Sequence, residues 1–434
     1  MARTPSLTTR LVDLIEHRPI DQKDLDAAAL LTLDLIANAI GARNTEAAQK
    51  VAAWSGTTGG DAGRRAFLLG AFAHTLEMDD LHRTSVTHPG CVVIPAAWSQ
   101  AQKQGAAGHA LLKAVTRGFE AVCRVGASVG PAHYEVWHNT ATCGPFGSAV
   151  AVASLLGLPR EAQVDALGNA GTQASGLWEF LNAGAESKHL HAGRAAEAGL
   201  AAAQLAAFGF TGPATILEGE KGFYRSLCPD AAPESLLEGA DSPWQTHMTS
   251  LKPWPSCRHT HPAIDAAGDL QPAFDPDAVE RIDVETYGAA LKICDRPAPK
   301  TDYDAKFSLQ HCVAAALTEP NVTFETFSET ARQELSRLTD KVHVAVGEYY
   351  EDAYPNTWGA SVTVTPKEGD PVAARRTFAK GDPQAALSRD EIIEKADMLM
   401  RHGGLADPVP LIDSILDLAR DGAVPALPLP LFHA

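Results

Sequence analysis

Residues with acid–base or charged side chains gather in five short stretches of this sequence. Most of these stretches abut Gly or Pro, which places them at loops and helix ends, where binding and catalytic residues concentrate. The stretches are Glu77–His82 with Thr87–Gly90, Trp137–Thr140, Lys188–Arg194, Lys252–His261 and Ala305–His311. Any one of them alone could be a helix cap or a solvated surface, but five in one chain point to a functional site.

The basic residues in these stretches predict a binding site for a small ligand with two or three carboxylates. Arg offers such a group a bidentate fork, and Lys offers it a point charge. Both also stabilise the enediolate that forms when a proton leaves the carbon next to a carboxylate. Glu77 or His138 could take that proton, and a second histidine could return one. The basic residues are Lys188, Arg194, Lys252, Arg258 and Lys306.

The most specific predictions concern Lys188 and His138. We expect Lys188, in the densest basic stretch, to contact a substrate carboxylate and to matter little for folding. His138 precedes Asn139 and Thr140, which can orient an imidazole by hydrogen bonding. Because a free imidazole has a pKa of about 6.5, it suits proton transfer near neutral pH. The alternative for His138 is a packed core histidine held by a backbone carbonyl.

Two His-x-His pairs could instead bind a metal ion. They are His189 with His191 and His259 with His261, and Asp79, Asp80, His82 and His88 could add ligands. However, the chain has neither an HExxH motif nor a full Cys/His ligand set. Side chains two positions apart share a face on a strand but not on a helix. We therefore expect no metal site, and a metal-dependent hydrolase is the alternative.

Nucleotide and disulfide chemistry are poorly supported. No GxGxxG follows a strand and no GxxxxGK[ST] occurs, so neither common nucleotide-binding motif is present. The seven cysteines are scattered and form no CxxC pair, which favours reduced thiols in a cytoplasm. Cys257 could be a nucleophile, because Arg258 and Lys252 would lower its pKa. A buried, inert thiol explains Cys257 equally well.

The overall charge argues against two classes of partner. The chain has 36 Lys and Arg against 53 Asp and Glu, a formal net charge of −17. It therefore has no global attraction for nucleic acid or for an anionic membrane. The start, Met1 to Thr4, leads into an amphipathic segment and not into an apolar signal core. We also find no stretch that approaches the roughly 18 apolar residues of a membrane helix.

Periodicity separates the chain into a helical part and a mixed part. The first 250 residues show apolar stripes at helical spacing, for example over Asp21–Ala42 and Arg194–Phe208. After Pro253, apolar residues alternate around Ile282, Val342 and Val362, which predicts half-buried strands. Further strand and helix segments are expected at Val372–Phe378, Ala305–Leu317 and Glu329–Leu338.

The chain ends in helices again. Ser388 and Glu391 form a capping box, and a last amphipathic helix follows. We expect this tail to pack back on the first domain. The fold class is therefore mainly α, with a large, discontinuous multi-helix domain formed by residues 1–252 and 391–434. Residues 253–390 form a smaller α+β domain.

In their order, these stretches resemble the MmgE/PrpD family over essentially the whole chain. The resemblance covers its early carboxylate and histidine segment, its Trp-His segment, its Lys-x-x-His-x-Gly motif, its Lys-x-aromatic-Pro segment and its Ala-Lys-Phe-Ser stretch. The matching residues are Glu77–Asp80 with Thr87–Pro89, Trp137–His138, Lys188–Gly193, Lys252–His261 and Ala305–Gln310.

The resemblance implies a large helical domain with a smaller lid, a homodimer, and cofactor-free chemistry on small polycarboxylates. By analogy, the catalytic positions are Glu77, His88, His138, Lys188, Lys252 and Cys257. The substrate-binding positions are Asp79, His82, His191, Arg194, Arg258, His259, Lys306 and His311. Decarboxylases of the family carry His where Cys257 stands and Tyr where His311 stands, and Trp254–Cys257 looks most like the epimerase branch.

We therefore predict an enzyme that abstracts a proton next to a carboxylate and then eliminates, decarboxylates or reprotonates. Such an enzyme is a lyase of the dehydratase or decarboxylase type, or an isomerase of the epimerase type. A non-catalytic, carboxylate-binding homologue is a third alternative beside the metal-dependent hydrolase. The substrate itself is not specified by these residues.

Overall fold

The chain forms two compact units in a computed structural model that describes residues 5–57, 59–271, 275–319 and 321–432. The first unit comprises Met1–Ser250 and Ser388–Ala434, and the second comprises Leu251–Leu387. The corresponding predictions were 1–252 with 391–434, and 253–390. The predicted lack of a signal core at Met1 to Thr4 concerns residues outside the described ranges.

The first segment of the first unit is built from helices, as predicted. Polar side chains cap several of them; Asp21 and Asp24, for example, form a capping box at the start of α2. The helices are α1 (Leu7–Glu16), α2 (Gln22–Ala42), α3 (Glu46–Gly56), α4 (Ala62–Ala73), α5 (Gly90–Gln104), α6 (Gly108–Ser128), α7 (Pro131–Val136), α8 (Asn139–Leu155), α9 (Arg160–Gly171), α10 (Phe180–Ala183), α11 (Ser187–Ala207) and α12 (Phe223–Leu227).

Small residues let these helices pack closely. Helix α11 packs against α4, α8 and α9, and α8 is buried almost throughout. A Cβ atom on Gly199 of α11 would lie 2.5 Å from the carbonyl oxygen of Pro145 in α8, so glycine is required at this crossing. Alanines from several helices form a continuous core cluster around the same crossing. The Ala-rich composition therefore sets the short distance between helices.

The second unit is a four-stranded sheet with helices. The strands β1 (Val279–Thr286), β2 (Val342–Val346), β3 (Ala360–Pro366) and β4 (Val372–Arg376) lie in the order β2-β1-β3-β4. β1 pairs with β2 in parallel and with β3 antiparallel, and β4 pairs antiparallel with β3. The helices are α13 (His261–Leu270), α14 (Gly288–Cys294), α15 (Asp302–Ala305), α16 (Leu309–Thr318), α17 (Glu329–Thr339) and α18 (Glu348–Ala353).

Helices α13 and α16 cover the sheet and close its apolar core. Helix α13 packs on β3, β4 and α16, and α16 also contacts β2. The single helical segment predicted over Ala305–Leu317 is interrupted. Ser308 accepts a hydrogen bond from the backbone N–H of His311 and so starts a new helix. The mainly α fold class with a smaller α+β domain is confirmed.

The returning segment completes the first unit with α19 (Arg389–His402) and α20 (Val409–Asp417). The predicted capping box of Ser388 and Glu391 is present at the start of α19. Helix α19 packs on α2, and a Cβ on Gly41 would lie 2.9 Å from the carbonyl oxygen of Leu399. The segment therefore belongs to the core of the first unit.

Helix α2 corrects one expectation from the sequence. Among the described residues, it is long and apolar enough, by length and composition, to cross a membrane, although no such stretch was predicted. Its apolar stretch, residues 25–42, contains two charged side chains, those of Asp26 and Asp34. In the structure, 83% of its apolar window is buried inside the protein. A helix buried in a protein core can be as apolar as one that crosses a membrane, so its burial accounts for the composition of α2.

Candidate active site

A buried carboxylate lies between two imidazoles in the connection from α4 to α5. Asp79 Oδ2 is 2.6 Å from Nδ1 of His74 and 3.1 Å from Nδ1 of His88. His74 is the residue that ends α4, and His88 immediately precedes the start of α5. Burial by itself would raise the pKa of Asp79, but the two imidazoles hold that pKa well below its usual value. Asp79 is therefore an ionised acceptor.

His138 lies at the N-terminus of α8 and faces this group. Its ring stacks on that of His74 with centroids 5.7 Å apart, and its Nδ1 is 3.2 Å from Nδ1 of His191. Trp178 packs 4.6 Å from the same ring. Burial, followed by the charges of His74 and Lys188, lowers the pKa of His138 well below 6.5. The expectation of an ordinary pKa near 6.5 is therefore wrong, because the imidazole is fully enclosed.

Lys188 and Glu77 form a buried ion pair beside these histidines. Lys188 Nζ, in the first turn of α11, is 2.5 Å from Oε1 of Glu77, and their side chains are 9% and 2% exposed. Glu77 has a φ of +63°, an uncommon conformation for a residue other than Gly. Strain of this kind is maintained only where surrounding contacts enforce it. The pair argues against the predicted independence of Lys188 from folding, because loss of the ammonium would remove this cation from a buried carboxylate.

Neighbouring residues hold the loop that carries Asp79 and His88. Both oxygens of Asp80 accept from the backbone N–H of Gly90, at 3.1 and 3.0 Å, which ties the loop to the start of α5. Burial, then the charges of Asp79 and Asp34, raises the pKa of Asp80 well above its usual value. Asp80 therefore contacts the backbone where Asp79 contacts imidazoles, and its pKa is shifted upward where that of Asp79 is shifted downward.

Asn139 and Thr140 position His88 and not His138. The side-chain amide of Asn139 donates to the carbonyl oxygen of Ser85 at 2.9 Å, and the hydroxyl of Thr140 accepts from the backbone N–H of His88 at 3.0 Å. The sequence predicts that these side chains orient the neighbouring imidazole of His138. They instead join the start of α8 to the loop, because tertiary contacts decide which partner each one meets.

His82 stabilises the turn that runs from His82 to Thr87. Its Nδ1 is 2.8 Å from the hydroxyl of Ser85, and its backbone pairs with that of Thr87. Burial lowers the pKa of His82 to about 4. A role in shaping the turn explains these contacts, and its predicted role in substrate binding remains a prediction.

His191 and Arg194 lie one turn apart on α11. Both line a small cavity of about 40 Å³, together with the side chains of Gln173 and Ser175. Burial lowers the pKa of His191 to about 4. The guanidinium of Arg194 is exposed and pairs with Glu197 on the same helix. The structure thus brings His191 to His138 but leaves Arg194 at the surface.

The second unit has its own buried polar group. Arg258 contacts Asp382 at 2.5 Å, and its guanidinium also donates to the carbonyl oxygen of Lys380 at 3.1 Å. His259 Nδ1 is 2.7 Å from the hydroxyl of Tyr287, and its ring stacks on Trp358. Burial, then the charges of Lys252 and Arg258, lowers the pKa of His259 to about 3. Arg258 is thus already paired within its unit.

The remaining predicted residues of this unit are held mainly by structural contacts. Cys257 lies in the apolar core cluster, and the burial of its neighbour Cys294 raises the pKa of that thiol well above its usual value. The backbone N–H of Cys257 donates to the carbonyl oxygen of Lys306 at 2.9 Å. His311 is buried and its Nε2 is 2.8 Å from the carbonyl oxygen of Thr326. Lys252 is 1% exposed.

One group of side chains has the ligand types of a metal site. Ligand atoms of His74, Asp79 and Cys91 all lie within 4.8 Å of one another, and all three residues are buried. Neither His-x-His pair belongs to such a group in the part of the chain that the structure describes. Burial raises the pKa of the Cys91 thiol well above its usual value, and thiolate, not thiol, binds metals. The 2.6 Å contact between Asp79 and His74 is a hydrogen bond, so a metal ion bound to these two atoms would have to displace its proton.

Sequence reasoning missed His74, Trp178 and Tyr287. His74 ends an apolar helix, and its only sequence signal is an acidic residue five positions later. Trp178 and Tyr287 reach His138 and His259 from distant parts of the chain. Contacts of this kind leave no local pattern in a single sequence.

Comparison with known proteins identifies the family. The MmgE/PrpD N-terminal domain matches residues 9–236, and the MmgE/PrpD C-terminal domain matches residues 254–407. The chain belongs to the MmgE/PrpD family, as its motifs predicted.

Several curated relatives are cis-aconitate decarboxylases. That of Homo sapiens is 28% identical over 353 residues, covering 76% of this chain and 71% of the human protein. That of Mus musculus is 28% identical over 363 residues, covering 76% and 70% of the two chains. A protein from Aspergillus terreus is 26% identical over 388 residues, covering 79% of each. Decarboxylases are lyases, and these relatives support lyase activity of the MmgE/PrpD type.

Proposed function

We propose that this protein is a cofactor-independent lyase that acts on a small di- or tricarboxylate, with decarboxylation as its first candidate reaction. The observation that carries the proposal is the buried pair of Lys188 and Glu77 beside His88 and His138. An enclosed ammonium beside neutral imidazoles suits a site that receives carboxylates and moves protons. The cis-aconitate decarboxylase relatives support the same chemistry.

The negative charge of the substrate favours protonation of His138. Without substrate, burial keeps His138 neutral, so it can accept a proton. Carboxylates brought next to the imidazole favour its charged form, and Lys188 provides the compensating charge for the substrate. The substrate therefore converts His138 from an acceptor into a proton donor as it binds.

In decarboxylation, the carbon–carbon bond to one carboxylate breaks and carbon dioxide leaves. The electron pair of that bond passes into the remaining unsaturated acid, where Lys188 stabilises the enediolate. One proton from an imidazolium, His138 or His88, then reaches carbon, and the imidazole returns to its neutral form. Elimination of water begins instead with proton abstraction by the same groups.

The decisive experiment is a screen for deuterium exchange and turnover by NMR in D₂O across small di- and tricarboxylates, including cis-aconitate. We expect one acid to lose carbon dioxide or water and to take up deuterium at the carbon next to a carboxylate. Lys188→Ala should weaken both signals strongly. Absence of exchange and turnover with every acid would leave a carboxylate-binding homologue, and turnover lost on chelation and restored by zinc would support a hydrolase.

Epimerisation is a second candidate, favoured by one observation. The Trp254–Cys257 segment resembles the epimerase branch, and Cys257 stands where decarboxylases of the family carry His. An epimerase shares the proton abstraction but returns the proton to the opposite face of the same carbon. In the NMR screen, an epimerase would exchange deuterium and invert a stereocentre without releasing carbon dioxide or water.

A further inference from the structure

One oxygen atom of Asp79 serves two imidazoles at once. Oδ2 is 2.6 Å from Nδ1 of His74 and 3.1 Å from Nδ1 of His88. Asp79 is fully buried between them, and an ionised carboxylate can only accept hydrogen bonds. Nδ1 of His74 donates to this oxygen and therefore carries a proton. Nδ1 of His88 does not form an aligned hydrogen bond with it, but a bare nitrogen lone pair 3.1 Å from the same anion would be repelled, so we infer that this nitrogen is protonated as well.

A neutral imidazole has a single N–H, so the proton on Nδ1 leaves Nε2 as a bare acceptor. In His74, Nε2 is buried and has no hydrogen-bond partner among the described residues. The side chain of His88 is 12% exposed, whereas that of His74 is 0% exposed. Of the two acceptor rings, His88 is therefore the one that a ligand can reach.

We propose that Asp79 is a positioning residue that locks His74 and His88 in the Nδ1–H tautomer. This lock makes Nε2 of His88 the atom that exchanges a proton with the substrate, and His74 supports it by donating a hydrogen bond to the same carboxylate and by stacking on His138. The assignment of His88 to proton transfer in catalysis rests on the proposed function, but the tautomers themselves do not.

The neighbouring acid offers a matched control. Asp80 is also buried and is adjacent in sequence. Both of its oxygens accept from the backbone N–H of Gly90, and the hydrogen bonds described for its side chain involve no imidazole. Asp80→Asn keeps an oxygen acceptor for that N–H. It should therefore change the thermal midpoint without changing any histidine tautomer.

The test is a long-range ¹H–¹⁵N correlation spectrum of the full-length protein labelled with ¹⁵N-histidine, with the two rings assigned from His74→Gln and His88→Gln. We expect both rings as Nδ1–H tautomers in the wild type and in Asp80→Asn. In Asp79→Asn, at least one ring should change tautomer, because the amide can donate as well as accept. Its kcat should fall by about 10²–10⁴-fold, with a much smaller change in KM.

An Nε2–H tautomer on either ring of the wild type would overturn the proposal, and so would unchanged tautomers in a folded Asp79→Asn protein. A bound metal ion that replaces the Nδ1 proton, seen by elemental analysis, would overturn it as well. The wild-type spectrum decides the tautomers even where Asp79→Asn fails to fold. If no carboxylic acid is turned over, the proposed function fails, while the spectrum still tests Asp79.

Discussion

The ammonium of Lys395 donates a hydrogen bond to the backbone carbonyl oxygen of Met78 at 2.7 Å. This contact joins helix α19, in the returning C-terminal segment, to Met78, the residue that directly follows the strained residue Glu77. Lys395 Nζ is also 2.5 Å from Oδ1 of Asp34 in α2, and both side chains are buried. The C-terminal segment therefore helps to hold the loop that carries Glu77 and Asp79.

Replacing Lys395 with Met should destabilise the protein strongly. The change leaves the buried carboxylate of Asp34 without its cation, and breaking a buried pair from one side costs about 3–5 kcal/mol. Urea unfolding measures the effect. Arg401→Gln on the same helix is the control, because its pair with Asp397 is exposed and should contribute about 1 kcal/mol or less. Equal effects of the two variants would contradict a bracing role for Lys395.

Lys188→Ala should lose transition-state stabilisation of about 2–5 kcal/mol in kcat/KM. Because the buried carboxylate of Glu77 loses the ammonium that contacts it, this variant should also be less stable than the wild type. The double variant Lys188→Met with Glu77→Gln removes both charges and should recover stability but not activity. Activity that returned together with stability would show that Lys188 acts only through folding.

His138→Gln should lose about 10²–10⁴-fold in kcat and keep most of its thermal midpoint. Glutamine preserves size and hydrogen bonding to His191 but cannot carry the proton. A packed core histidine would behave in the opposite way, with reduced stability and normal activity per folded molecule. A small loss in kcat with a larger rise in KM would assign His138 to substrate orientation instead.

Stability should fall as the pH falls below about 6.5, the pKa of an unfolded histidine. Burial lowers the folded pKa of His74 to about 3 and that of His82 to about 4. The unfolded chain therefore binds more protons between these values and 6.5, so this stability is complete above 6.5 and is lost towards pH 4. Each such group contributes at most about 1.4 kcal/mol per pH unit in that window.

The variant His82→Gln tests the part of this pH dependence that comes from the protonation of His82. Its unfolding free energy, measured between pH 4.5 and 6, should depend on pH less steeply than that of the wild type by up to about 1.4 kcal/mol per unit. Ser85→Ala removes the partner of the ring but keeps the imidazole. It should lower stability at pH 7 while leaving the slope almost unchanged. Identical slopes in His82→Gln and wild type would contradict a neutral, buried His82.

The features that could be predicted from the sequence are those encoded over a few neighbouring residues. The capping box of Ser388 and Glu391, the alternation around Ile282 and the order of the charged stretches each lie within one segment, and the structure and the family comparison confirm the elements and the family. The pKa of His138 and the role of His74 depend on burial and on rings from other helices. No local pattern encodes these contacts.

The roles assigned to individual residues stay predictions. Arg258 and His311 were expected to bind substrate, but their polar atoms already meet Asp382 and the carbonyl of Thr326. Such contacts became visible only with the tertiary structure, because each joins residues in different elements. The homodimer, the cytoplasmic location and the absence of a metal requirement also stay predictions.

Because the first unit is discontinuous in sequence, its two segments become available for folding at different times during synthesis. A ribosome makes chains from the N-terminus, so α2 emerges long before α19, with the whole second unit made in between. Until then, the face of α2 that packs on α19 is uncovered, and Asp34 lacks the cation of Lys395. Domains generally fold as units during synthesis. The second unit can therefore fold before α19 and α20 have been made, and the loop that carries Glu77 and Asp79 gains the contact with Lys395 only after α19 has been synthesised.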